Sequence, residues 1–121
     1  MTTWYVLDEN NEPQKIGDLP TYLEWLQANL PNHPYEAGTP LWSDTIENIL
    51  ISTVFLNMDH NPGVPGDPVL FETMILMDDP DHPLNGKRNR YRTYKEAQAG
   101  HEHALQLVTT YLTNSILHAP E

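Results

Sequence analysis

The chain has 121 residues, 39% of them hydrophobic, a formal net charge of −11 and no Cys. Without Cys there is neither a disulfide framework nor a thiolate metal site, and three Trp, six Tyr and two Phe argue against wholesale disorder. So acidic a chain disfavours direct binding along a nucleic-acid backbone or an anionic membrane, and no apolar run approaches the roughly 20 residues of a membrane span. The start of the chain lacks the basic-then-apolar pattern of a secretory signal, so the expectation is one cytoplasmic domain over residues 1–121.

Trp4-Tyr5-Val6-Leu7, the polar cluster Asp8-Glu9-Asn10-Asn11-Glu12 and Pro13-Gln14-Lys15-Ile16 read as a β-hairpin whose second arm is weakened by Pro13. Asp18 then precedes Leu19, Tyr22, Leu23, Leu26 and Leu30 at helical spacing. Asp18 suits an N-cap, Pro20 a first turn and Pro31 a stop. Residues 31–43, rich in Pro and Gly, read as an ordered loop pinned by Tyr35, Leu41 and Trp42. Residues 49–58 are apolar on both parities and predict a strand covered on both faces, with 69–77 as its antiparallel partner across a Gly/Pro loop. After a loop over 78–86, a short strand over 88–92 leads to the capping box Thr93-Tyr94-Lys95-Glu96. The helix that follows runs to Leu117, with Ala97, Gly100, Ala104, Leu105, Val108, Leu112 and Ile116 on its apolar side. The order β-β-α-β-β-β-α predicts an α+β fold, an antiparallel sheet of about four to five strands with two helices packed on it.

Five of the six basic residues fall within Lys87-Arg88-Asn89-Arg90-Tyr91-Arg92-Thr93-Tyr94-Lys95. On a strand, Arg88, Arg90 and Arg92 share one face. Beside the helix-start amides after Thr93 they form a candidate anion site, with Tyr91 or Trp42 to stack a base. The alternative is that Asp78, Asp79 and Asp81 neutralise the arginines in surface ion pairs. Trp4, Trp25 and Trp42 otherwise read as core and lid aromatics, and His33, His82 and His118 fall in loops or the tail with no expected role.

A second constellation is Glu72 inside an apolar strand, His101 on the inward side of the last helix, and Asp59-His60 after the first central strand. These suit an acid–base pair or an oxygen/nitrogen metal site. The structural alternative bonds Glu72 to His101 or to Arg90 and leaves Asp59 capping its own turn. No spacing matches a metal motif, since the histidines of His101-Glu102-His103 point to opposite sides of a helix, and neither metal nor cofactor is expected.

In these pieces the chain resembles a family of small uncharacterised proteins of bacteriophages and bacterial genomes. The resemblance is carried by Trp4-Tyr5-Val6-Leu7-Asp8, Ile51-Ser52-Thr53-Val54-Phe55-Leu56, Asp59-His60-Asn61, Leu70-Phe71-Glu72-Thr73-Met74 and Arg90-Tyr91-x-Thr93-x-x-Glu96-Ala97-x-x-Gly100-His101. It implies a phage or prophage origin and action in the host cytoplasm, and brings no established activity. Arg88 and Arg92 fall outside its pattern, leaving Arg90 as the arginine it favours.

The leading expectation is a non-enzymatic binding protein that interferes with host physiology or defence, by sequestering an anionic, nucleotide-like ligand or by blocking a host protein. The alternatives are a hydrolase using Glu72, His101, Asp59 and His60, with or without a divalent metal, an acidic mimic of DNA, and a virion or assembly component. Two-sided apolar strands on so short a chain also suggest a homodimer that covers one sheet face.

Overall fold

The computed structural model describes residues 4–29, 39–59, 65–66 and 68–117. The fold is α+β, and its strands form two sheets. Strands β1 (Trp4–Leu7) and β2 (Pro13–Ile16) make an antiparallel hairpin in which Tyr5 lies opposite Lys15 and Leu7 opposite Pro13. Asp8 builds the turn, where its carboxylate accepts the amides of Asn10 and Glu12 and the Gln14 side chain, with Asn11 left-handed at φ 61°. These bonds, the Glu12 amide foremost, hold the Asp8 carboxyl below its usual pKa.

Helix α1 (Leu19–Asn29) starts where Asp18 accepts the Thr21 amide at 2.8 Å and the Thr21 hydroxyl at 2.9 Å, the N-cap its sequence predicts. It packs on the hairpin, where Tyr22 stacks on Trp4 with ring centroids 4.4 Å apart and Val6 is buried beside them. Leu19 and Leu23 stay about half exposed. Of the two helices, α1 packs on the hairpin.

The main sheet has the order β3 (Thr39–Ile46), β4 (Ile49–Phe55), β5 (Phe71–Leu76) and β6 (Arg88–Tyr91), all antiparallel. Strand β3 replaces the end of the loop expected over 31–43. Pro40 is tolerated there because β3 is an edge strand with a bulge between Pro40 and Trp42. Residues 31–38, Tyr35 among them, lie outside the described residues, as do His60 and the side chains of Trp25, Leu26 and Ile116. Glu47 and Asn48, both at positive φ, make the two-residue turn into β4 that matches the twist of a hairpin.

Helix α2 (Tyr94–Leu117) covers one face of this sheet. At one end Ile49, Ile51 and Ile75 meet Ala104 and Val108; at the other Phe55, Leu70 and Phe71 meet Ala97 and Tyr94, with Tyr5 and Leu7 of the hairpin against them. Each large apolar side chain buried there contributes about 1.5–3 kcal/mol. Strand parity sends Leu50, Ser52, Val54, Glu72, Met74, Arg88 and Arg90 to the opposite face. The hairpin is tied to the sheet by Asn57, whose backbone carbonyl accepts the Tyr5 amide at 2.9 Å while its side chain donates to the Tyr5 carbonyl at 3.1 Å. In the β5–β6 loop His82 has a role its sequence context did not suggest. Its Nδ1 accepts the Leu84 amide, and its ring sits edge-on to Tyr111.

Candidate functional site

Residues expected to act together are dispersed by the fold. Arg90 Nε donates to Glu72 at 2.9 Å, closing the buried side of an ion pair in which the Glu72 side chain is only 10% exposed. Arg88, two residues before it on the same strand, reaches the Met74 sulfur at 4.0 Å. Asp78, Asp79 and Asp81 form no ion pair among the described residues, and Asp79 instead accepts the Asp81 amide within its own loop. Arg92 lies beyond the end of β6 and points elsewhere, its guanidinium close against Gly66, where a Cβ would come within 2.9 Å of Nη1. The row of three arginines is therefore broken by the end of the strand.

Tyr91 faces the helix and lies over Gly100, where a Cβ would overlap its phenol ring. A wide trough lined by Lys87, Arg90, Tyr91, Glu96, Ala99 and His103 runs along this side. Trp42 stands apart from it, tilted against Tyr94 and His101 at 5.1 and 5.8 Å. The helix start is not open to a ligand in the expected way. Thr93 Oγ1 accepts the Glu96 amide, while Glu96 Oε1 accepts the Thr93 amide and hydroxyl, so the protein supplies its own carboxylate there.

His101 is 5% exposed and sits in a chain of hydrogen bonds that crosses three strands. Its Nε2 meets Asp44 Oδ2 at 2.7 Å and its Nδ1 meets Thr53 Oγ1 at 2.7 Å, while Thr53 Oγ1 meets Thr73 Oγ1 at 2.6 Å. With a neutral imidazole every group is satisfied in one direction. Nε2–H donates to the carboxylate, Thr53 donates to Nδ1, and Thr73 donates to Thr53. Asp, His and a hydroxyl in line invite comparison with a nucleophilic triad, but the exposure is inverted. Thr53 and Thr73 are sealed in the core at 0% and 1%, while the Asp44 side chain is 51% exposed, so no substrate reaches the hydroxyl.

The other residues of the hydrolase alternative are separated as well. Glu72 and His101 lie on opposite faces of the sheet, and Asp59 Oδ1 accepts the Val69 amide at 3.0 Å. His60 lies outside the described residues. No group of three or more acidic, His or Cys side chains able to hold a metal occurs among the described residues.

What the fold does assemble is a cleft of about 290 Å³ between the hairpin and the turn into α2, lined by Tyr5, Glu12, Pro13, Lys15, Pro68, Leu70, Arg92 and Thr93. Residues paired across the hairpin share a face, so Lys15 and Pro13 follow Tyr5 and Leu7 toward the main sheet rather than toward α1. Lys15 has no ion pair among the described residues. The one basic residue outside the island thus meets Arg92 and Thr93 from it. The signal for this was present in the register of a hairpin with Tyr5 opposite Lys15. The signal for the His101 chain was fainter, a Thr at inward parity in each of the two central strands.

No protein-family model matches the chain, and no curated protein and no solved structure matches it significantly. No helix among the described residues is long and apolar enough to cross a membrane.

Proposed function

We propose that this chain is a small non-enzymatic binding protein that holds an anionic small molecule in the cleft between the β1–β2 hairpin and the Arg92–Thr93 turn. The observation that carries the reading is Lys15, a cation without a counter-ion among the described residues, turned by its strand register toward Arg92 in a chain of net charge −11. Two like charges brought to one gap by separate units raise the local potential for an anion. Tyr5, Pro13, Pro68 and Leu70 give the cleft apolar walls, the usual make-up of a small-molecule site. On this reading Arg92 keeps its expected role, Thr93 only lines the cleft, and Arg90 is a structural partner of Glu72. The resemblance to phage and prophage proteins sets the biological frame we propose, in which the protein works in the host cytoplasm and withdraws a ligand that host defence uses.

Native mass spectrometry of the protein from bacterial lysate tests this with Lys15→Met and Arg90→Ala beside the natural sequence. The expected result is an anionic adduct that weakens about tenfold in Lys15→Met, the size of one charge-assisted hydrogen bond, and survives in Arg90→Ala. Arg90→Ala should instead unfold at lower denaturant, because Glu72 is left buried without its partner. A clean mass, or an adduct indifferent to Lys15, overturns the reading. The same spectra decide whether the chain is the expected homodimer.

A further inference from the structure

We infer that the outer edge of β6 is a docking strand for an extended acidic segment of a partner protein, a second surface independent of the cleft. Strand β6 closes the main sheet on one side, and among the described residues it pairs only with β5. The Lys87 carbonyl accepts the Ile75 amide at 2.9 Å, and the Tyr91 carbonyl accepts the Leu70 amide at 3.1 Å. These residues therefore turn their backbone groups toward β5. In an antiparallel strand the amide and carbonyl of one residue point the same way, and the direction alternates from residue to residue. Arg88 and Arg90 accordingly turn theirs to the outer edge, the arrangement to which a further strand adds. The opposite edge of the sheet is blunted, since β3 carries Pro40 and a bulge. Between Arg88 and Tyr91 there is neither.

Charge decides what pairs there. Five of the six basic residues lie in the stretch that contains β6, in a chain that carries 17 acidic ones. Arg88 is exposed, and its guanidinium meets the Met74 sulfur at 4.0 Å rather than a carboxylate. Among the described residues Lys87, Arg88 and His103 have no ion pair. A second copy of this chain is a poor occupant, because β6 laid antiparallel on β6 sets four arginines side by side on one face. An acidic strand reverses the sign of each of those contacts. Strand parity then fixes its pattern. Side chains opposite Arg88 and Arg90 lie on the face away from α2 and match as carboxylates. The side chain between them falls on the α2 side, beside the trough that Tyr91 and Ala99 line, and suits a small apolar group. The partner segment thus alternates acidic, apolar, acidic.

Isothermal titration of the full chain with the peptide acetyl-Thr-Glu-Val-Glu-Val-Glu-Thr-amide tests the inference, beside its analogue with Lys at each Glu. Arg88→Glu and Arg88→Gln are the variants, with thermal midpoints to confirm that each is folded. The acidic peptide is expected to bind at least about tenfold tighter than the Lys analogue, and Arg88→Glu to weaken it about tenfold, with Arg88→Gln between. Two N-methylated forms of the peptide separate strand pairing from charge alone. Methyl groups on the Glu amides, which face β6 in the expected register, should abolish binding, and methyl groups on the Val amides should leave it intact. Equal binding of both forms overturns the strand, and failure of the acidic peptide to bind overturns the whole inference. Oligothymidylate that binds better than the peptide and is lost in Arg88→Glu makes the edge a phosphate surface instead. A dimer in sedimentation that Arg88→Glu dissociates gives the edge to a second copy, which also overturns it.

Discussion

The sheet–helix unit and the hairpin differ in how their polar groups are used. Between β4, β5, β6 and α2, the polar side chains that stand out in the sequence are occupied with one another. Glu72 holds Arg90, Thr53 and Thr73 hold His101, Tyr91 fills the space over Gly100, and Thr93 and Glu96 cap each other. In the hairpin, Lys15 and Glu12 stand at a cleft without ion-pair partners among the described residues. Polar residues inside a sheet must be satisfied to be tolerated, and once satisfied they have little left to offer a ligand.

The largest expected effect is at Thr53. Thr53→Val leaves the His101 Nδ1 and the Thr73 hydroxyl buried without their bonds, and a loss of about 2–3 kcal/mol in urea denaturation is expected. A loss near zero would mean that the chain of hydrogen bonds does not hold α2 to the sheet. Gly100 gives a test by sign. Gly100→Ala should destabilise by about 2 kcal/mol through displacement of Tyr91, although alanine is the better helix former. In a Tyr91→Ala background the same change should stabilise by about 1 kcal/mol. If the sign does not reverse, Tyr91 is not what excludes a side chain at Gly100.

The smallest effect belongs to the hairpin unit. The Thr21 hydroxyl, and then its amide, lower the Asp18 carboxyl below its ordinary 3.8. A depressed carboxylate stabilises the fold above its unfolded value, and that contribution is lost as pH falls through the folded value. Asp18→Ala should therefore lower the thermal midpoint at neutral pH, with the difference from the natural sequence closing once the pH has fallen below 3.8. A constant difference down to strong acid would show that the carboxylate is not the cap.

Much of the fold was legible in the chain. The β1–β2 hairpin, the Asp18 cap, the Thr93–Glu96 capping box and the buried side of α2 all rest on rules that act within a few residues. Strand β3 was not, because the Pro and Gly of its approach read as a loop and only its place at an edge makes Pro40 acceptable. The site was less legible still. Arg88, Arg90 and Arg92 alternate correctly, yet β6 ends at Tyr91 and sends Arg92 to another side.

The sequence by itself determined the secondary elements other than β3, their caps and an acidic surface with one basic cluster, since those follow from local sterics, spacing and charge. Tertiary structure alone decided the partners. His101 pairs with Asp44 and Thr53, 57 and 48 residues away in the chain, and Lys15 of the hairpin lines one cleft with Arg92 of the turn after β6. Which distant side chains meet depends on strand order and register. Those are set by burying the whole apolar surface at once, and no short stretch of sequence encodes them.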